Sequence, residues 1–269
     1  MYIDTHAHLG MIVKGHVEPL VAAHFPMLQD VVDEANNVGV KKIITIGANL
    51  VESVEAVHIA QRIPTVFATV GIHPCDCTDQ WRNDVDQLDL LIKKTEGNII
   101  VAIGEIGLDF YHKPFDKQRQ LDALKAQIEL SLKHSLPLVL HVRDAGEELL
   151  YAIEPYVKEI KGGVIHCFSQ NSDFARTVLS WGLYCGIDAP IMYPKNEALR
   201  EVVKEIPLEK MILETDAPFL PPLQFRGKQN KPAYIRHFVP MLAVLKGVSE
   251  DALGKVTTEN AHALFGLER

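Results

Sequence analysis

No apolar run in this 269-residue chain approaches the roughly 20 residues needed to cross a bilayer; the longest, such as 99–103 and 136–140, are far shorter. That excludes a membrane-spanning helix. Positive charge is also in deficit, with 27 Lys and Arg against 35 Asp and Glu and a net charge of −8, which excludes a broad basic face for nucleic acid. Any polyanion must then meet a local patch or bound metal ions. Cysteine is scarce: Cys75, Cys77, Cys167 and Cys185 match no paired CxxC zinc site and no secreted disulfide framework. They read as reduced thiols in the core or near a site, because a Cys75/Cys77 zinc pair has no second pair to complete it. The start, Met1-Tyr2-Ile3-Asp4, has neither a basic segment nor an apolar one behind it, so it is expected to be a first strand and the protein cytoplasmic. No repeat, low-complexity tract or linker divides the chain, so residues 1–269 are expected to form one domain.

What is present is a sequence able to bury a large core, with 47% hydrophobic and 23% charged residues. Short apolar runs rich in Val and Ile fall at 2–5, 42–46, 65–71, 99–104, 138–141, 163–166, 183–187 and 211–214, and each reads as a strand. Between them, helical periodicity appears around 27–38, 51–62, 84–94, 117–134, 147–159, 173–181 and 197–205, with further helices at 233–245 and 250–264. Strict alternation of strand and helix, with strands apolar on both faces, implies a parallel sheet covered on both sides. Eight such repeats in about 250 residues can close into a (β/α)8 TIM barrel, an α/β fold. An open doubly wound sheet is the competitor, but no Gly-rich phosphate turn follows the first strand.

A barrel of this kind places chemistry at the carboxyl ends of its strands. There the chain carries His6-Ala7-His8 after strand one, Glu105 after strand four, His141 after strand five, His166 after strand six, and Glu214-Thr215-Asp216 after strand eight. Two histidines spaced by one residue point the same way from extended chain, so both can reach one ion. Imidazoles and carboxylates converging on one rim form the donor set of a hydrolytic site with two cations. Two cations held close together repel, so an anionic bridge is expected between them, and Glu105 is the natural candidate.

These residues resemble the TatD family of metal-dependent deoxyribonucleases, within the amidohydrolase-like barrel hydrolases. The resemblance spans nearly the whole chain and rests on Asp4-Thr5-His6-Ala7-His8-Leu9, Gly71-Ile72-His73-Pro74, Gly104-Glu105-Ile106-Gly107-Leu108-Asp109, His141-Val142-Arg143, His166-Cys167-Phe168-Ser169, Glu214-Thr215-Asp216-Ala217-Pro218 and Arg226-Gly227-Lys228-Gln229-Asn230-Lys231-Pro232. It implies that His6, His8 and Asp216 hold one divalent ion, His141 and His166 a second, and Glu105 both. It implies Mg for activity, although the donors also accept Zn or Mn. It implies exonuclease or endonuclease action on DNA, on single strands or damaged ends, by hydroxide made at the metal pair, and hence a place in DNA repair. Some relatives look like deacylases of charged transfer RNA, so a carbonyl hydrolase such as a D-aminoacyl-tRNA deacylase or an amidase is the alternative. Gln170 stands where a small Gly is usual and Leu223-Gln224-Phe225 where Pro and Tyr are common, departures that touch the substrate loops.

Roles follow for the remaining candidates. Asp216 is expected to accept the proton of the attacking water besides binding an ion, and His73 to face the phosphate or leaving group as donor or acid, or else to brace a loop. Arg143 is a candidate for a bidentate phosphate contact, or for a pair with Asp109 or Asp144. Glu214 is expected to orient a ligand histidine or to bind substrate. The proline-rich segment 217–232 reads as a loop over the mouth whose Arg226, Lys228 and Lys231 bring local positive charge to a DNA backbone. His16, His24, His58, His112, His134, His237 and His262 have no evident partners and read as surface or packing residues, and Trp81 and Trp181 as core. A monomer is expected.

Overall fold

The computed structural model describes residues 1–15 and 19–268, so His16 lies outside the described residues. Its strands are β1 (Tyr2–Ala7), β2 (Val40–Thr45), β3 (Val66–Val70), β4 (Ile100–Asp109), β5 (Leu138–Arg143), β6 (Gly163–Ile165), β7 (Tyr184–Ile187) and β8 (Met211–Leu213). They form one eight-stranded sheet in chain order, and the neighbouring pairs are parallel. The seam between first and last strand is closed by a parallel bridge from Ala7 to Ala217. Helices α1 (Leu9–Lys14), α2 (Phe25–Asn37), α3 (Leu50–Arg62), α4 (Trp81–Lys94), α5 (Lys117–His134), α6 (Gly146–Ile153), α7 (Ser172–Ser180), α8 (Glu197–Glu205), α9 (Ile235–Lys246) and α10 (Glu250–Phe265) surround it. The architecture is the TIM barrel expected from the alternation.

Local chemistry explains the elements. Val66-Phe67-Ala68-Thr69-Val70 puts β-branched and aromatic side chains on both faces, and every position of β3 is buried. Helix starts carry side-chain caps: Asn49 accepts from Glu52 N, Asp116 from Arg119 N, Asn171 from Phe174 N and Ser249 from Ala252 N. Two departures from the periodicity appear. The short helix α1 directly follows the His-Ala-His segment, with Leu9 buried as its anchor. The helix expected over 147–159 ends at Ile153 and tightens into a 3-10 turn at Glu154–Tyr156, because Pro155 has no N–H to continue the ladder.

The strands separate two apolar layers. Ile3, Ile44, Phe67, Val139, Val164 and Ile212 face inward, where Leu264 and Phe265 of α10 and Leu267 join them; Ile43, Val66, Leu138, Leu140, Ile165 and Leu213 belong to the layer against the helices. Each such side chain fully buried stabilises by roughly 1.5–3 kcal/mol. Apart from Ile44, near the end of β2, each of these inward strand residues is the second of its strand, so the end of α10 covers the amino-terminal mouth. Alternation then decides what the other mouth receives: after Val139 in and Leu140 out, His141 points in; after Val164 in and Ile165 out, so does His166; after Ile212 in and Leu213 out, so does Glu214.

Candidate metal centre

The seam between β1 and β8 places three of the expected donors. Asp216 N donates to His6 O at 2.8 Å and His8 N to Ala217 O at 2.7 Å, which ties Asp216 beside both histidines. Beneath them, buried Asp4 accepts from Thr215 N at 3.0 Å and from Thr215 Oγ1 at 2.6 Å. Burial raises the Asp4 carboxyl well above its usual range, against the pull of those hydrogen bonds. Asp216 itself has φ of 56°, a left-handed conformation that an aspartate tolerates better than most residues, and this turns its carboxylate back toward the barrel axis. Asp216 Oδ1 then lies 3.5 Å from His8 Nε2 and 3.6 Å from His6 Nε2.

Glu105 occupies the centre. Its Oε2 lies 3.2 Å from His6 Nε2 and 3.9 Å from His8 Nε2, while Oε1 lies 2.9 Å from His141 Nδ1, 3.5 Å from His73 Nε2 and 3.7 Å from His166 Nε2. One carboxylate thus divides its oxygens between two groups of imidazoles. Two glycines make room for this: a Cβ on Gly107 would strike the backbone of His141, and one on Gly186 would strike the Glu214 carboxylate. His166 is held from behind, its Nδ1 at 2.8 Å from Glu214 Oε1, and Cys167 N donates to the same oxygen at 2.6 Å. His141 is held likewise, its Nε2 at 3.2 Å from Asp109 Oδ2.

The electrostatics are those of carboxylates and imidazoles buried against one another. Burial works against the Glu105 charge, yet His166, His73, His6 and His141 together keep its carboxyl well below the ordinary range. Burial likewise works against the Asp216 charge and is outweighed by His8 and His166. Among the imidazoles, burial lowers His6, and burial with neighbouring His141 takes His73 down to about 3. Burial also penalises His8, His141 and His166, but Asp216 raises the first, Asp109 and Glu105 the second, and Glu214 and Glu105 lift the third well above the usual imidazole range. Both ring nitrogens of His6 and Nδ1 of His8 are buried without a hydrogen-bond partner. A buried imidazole nitrogen without a partner beside ionised carboxylates, as His6 Nε2 is beside Glu105 and Asp216, is costly alone and would be satisfied by a cation. Donor atoms of His6, His8 and Asp216, of His6, Glu105 and His166, and of His73, Glu105 and His141 lie within 4.8 Å of one another in each group. The residues fit divalent metal.

The centre lies at the floor of an open cavity of about 390 Å³, lined also by Met11, Asp76, His112, Arg143, Phe219 and Leu220. Of the expected substrate contacts, Arg143 lines this cavity, with its guanidinium 3.8 Å from the Tyr111 ring centroid rather than paired with Asp109 or Asp144. Glu214 is fully buried behind His166, so it orients a histidine and does not reach the cavity. Arg226 and Lys228 are exposed and stand outside the lining: Arg226 lies over Tyr193, and nearby Lys231 pairs with Glu34 at 2.9 Å. The segment that starts at Ala217 does reach the mouth, but through Phe219 and Leu220, because buried Asn230 pins it by donating to Thr215 O and Phe219 O. Arg226 and Lys228 fall in the stretch between those ties and Lys231 directly after Asn230, and none of the three lines the cavity.

Two residues gained roles that the reading of the sequence did not assign. Asp109, considered there only as a partner of Arg143, closes β4 and braces His141; its position four after Glu105 on the same strand is the signal. His112 is not isolated, since its Nδ1 lies 2.8 Å from Asp109 Oδ2. His134, expected to have no partner, pairs with Asp89 at 2.7 Å, while His237 packs on Phe225 with ring centroids 4.9 Å apart.

Comparison with known proteins agrees with this geometry. The family model described as TatD related DNase matches residues 3–266. An uncharacterized metal-dependent hydrolase of Bacillus subtilis, YabD, is 31% identical over 98% of this chain and 99% of its own length. The 3'-5' ssDNA/RNA exonuclease TatD of Salmonella typhimurium is 34% identical over 88% of this chain and 92% of its own. Among solved structures, the Escherichia coli TatD homologue YJJV superposes with a TM-score of 0.88 at 26% identity, covering 98% of each chain.

Proposed function

The chain belongs to the family of TatD related DNases, metal-dependent hydrolases, and from that premise we propose that it cleaves phosphodiester bonds of DNA, releasing nucleotides from the 3' end of single strands. The observation that carries the reading is Glu105, whose two oxygens face separate groups of donors, His6, His8 and Asp216 on one side and His141 and His166 on the other. His6, His8, Asp216 and Glu105 would hold one divalent cation and His141, His166 and Glu105 another, Mg in the active state with Mn or Zn as alternatives, and the metal would supply Lewis acidity to the phosphoryl oxygens and lower the pKa of water.

The chain's own residues do the rest. Ionised Asp216, with Oδ1 turned toward the shared space, accepts the proton of the attacking water. His73 receives a hydrogen bond from Cys75 N at its Nδ1, which leaves Nε2 carrying the proton and aimed into the cavity. With a pKa of about 3 it stays neutral at working pH, so it serves as a hydrogen-bond donor to a phosphate or leaving oxygen rather than as a charged acid. Arg143 supplies positive charge on the cavity wall, and Phe219 offers an apolar face for a terminal base. Such local recognition is what a chain of net charge −8 requires for a polyanion. The setting this implies is a cytoplasmic monomer that processes DNA ends in repair; among the described residues no helix is long and apolar enough to cross a membrane.

The test is digestion of a 3'-labelled single-stranded oligonucleotide with Mg, Mn or Zn, beside a panel of carboxylic esters and charged transfer RNA. Mononucleotide release is expected, lost on chelation and reduced at least roughly 1,000-fold by Glu105→Ala or Asp216→Asn. Turnover of esters alone, or normal digestion by either variant, would end the proposal.

A further inference from the structure

Beside the proposed centre, and outside its donor set, three side chains from two loops meet at the rim. Cys75 lies in the 3-10 turn Pro74–Asp76 that follows β3, Asp109 is the last residue of β4, and His112 follows it by three. His112 Nδ1 is 2.8 Å from Asp109 Oδ2 and 3.7 Å from Cys75 Sγ, and the donor atoms of all three lie within 4.8 Å of one another. Around a tetrahedral zinc ion, nitrogen and sulfur donors stand about 3.5 Å apart and nitrogen and oxygen about 3.3 Å. The observed spacing is already close to that.

We propose that Cys75, Asp109 and His112 form a separate site for one thiophilic divalent cation of the zinc and cadmium class. Nitrogen, oxygen and sulfur donors together favour such ions over magnesium, which takes oxygen ligands almost alone. Three protein ligands leave a fourth position for water. Binding needs no redox partner: the Cys75 thiol proton passes to solvent, His112 binds through its Nδ1 lone pair, and its ring proton moves to Nε2.

The backbone supports the arrangement. Tyr111 N and His112 N both donate to Asp109 Oδ1, at 2.9 and 2.8 Å, which fixes the turn and leaves Oδ2 facing His112 and His141. Cys75 N donates to His73 Nδ1 at 3.1 Å, fixing the other loop. Cys77 takes no part, its Sγ lying 3.8 Å from Arg119 O instead. His112 lines both the main cavity and the adjoining one that holds Cys75. A cation here would draw Asp109 Oδ2 away from His141 and add positive charge at the mouth.

The experiment is cadmium titration of the full chain, read by the ultraviolet thiolate-to-cadmium charge-transfer band, which the sulfur-free donor set around Glu105 cannot produce. Wild type, Cys77→Ser, Cys167→Ser and Glu105→Ala should all show the band. Cys75→Ser should lack it, and His112→Ala, at an exposed position, should weaken cadmium binding by at least roughly 100-fold. Retention of the band by Glu105→Ala, together with loss of digestion, separates this site from the proposed catalytic one. No band in the wild type, or a band undiminished by Cys75→Ser, overturns the assignment.

Discussion

Glu214 offers a sharp way to test how the centre is held. Its Oε1 receives both the His166 Nδ1 proton and the Cys167 amide, at 2.8 and 2.6 Å, in a fully buried position. Glu214→Gln keeps the shape and an acceptor oxygen but removes the charge that makes His166 a stronger donor. Glu214→Ala removes the acceptor and strands two buried N–H groups, each costing about 1–3 kcal/mol. The alanine variant should therefore lose roughly 2–6 kcal/mol of stability, and the glutamine variant much less. Partners behind a ligating histidine are worth roughly 10- to 100-fold in metal affinity or rate. Glutamine is expected near the lower figure and alanine near the upper. In metal-free protein a pH dependence follows as well. Burial opposes the His166 charge and Glu214 more than restores it, so the folded imidazole titrates well above its unfolded value. A raised histidine stabilises fully below the unfolded pKa of about 6.5, and that contribution disappears as pH rises through the folded value. The melting-temperature gap between wild type and Glu214→Gln, measured in chelator, should thus be wide near pH 6 and narrow in alkali. A gap that widens with pH, or wild-type metal affinity in both variants, would refute the reasoning.

Arg143 and the basic loop should part company: Arg143→Ala should raise KM for a single-stranded oligonucleotide by about 10-fold, as expected for one lost charged hydrogen bond. The double variant Arg226→Ala/Lys228→Ala, outside the cavity lining, should change KM by less than about 3-fold; the reverse order would show that substrate approaches over the outer loop. Away from the centre, Asp89 is held well below the usual carboxylate range by Lys93, Lys133 and His134. A depressed carboxyl stabilises above its unfolded pKa of about 4 and loses that effect as pH falls through the folded value. Asp89→Asn should accordingly lower the melting temperature by about 1–3 °C at pH 7, and the difference should fade below pH 4.

Sequence by itself determined the barrel and the composition of its rim. Strands apolar on both faces cannot be satisfied at a sheet surface, so runs such as Val66–Val70 demand cover on both sides, and eight of them separated by helices leave one economical closure. Because side chains alternate along a strand, the inward position of His141, His166 and Glu214 follows from the apolar residues just before them. Tertiary structure alone decided distances between strands. Parallel register sets Asp109 opposite Arg143 and Gly107 opposite His141, yet the Asp109 carboxylate meets the His141 ring, with Oδ2 3.2 Å from Nε2, so the choice between the two is made by side-chain packing at the end of β4. The pairing of β3 with β4 brings His73 within 3.5 Å of Glu105, and the loops after these two strands gather Cys75 and His112 at the rim, although nothing in the local pattern of Cys75 and His112 marks them. The loop after β8 was legible as a loop but not in its path, since the buried Asn230 side chain, not charge, fixes which residues face the cavity. Strand periodicity is a local property carried by each segment; loop path and inter-strand contact are set by packing among residues far apart in the chain, and no single segment encodes them.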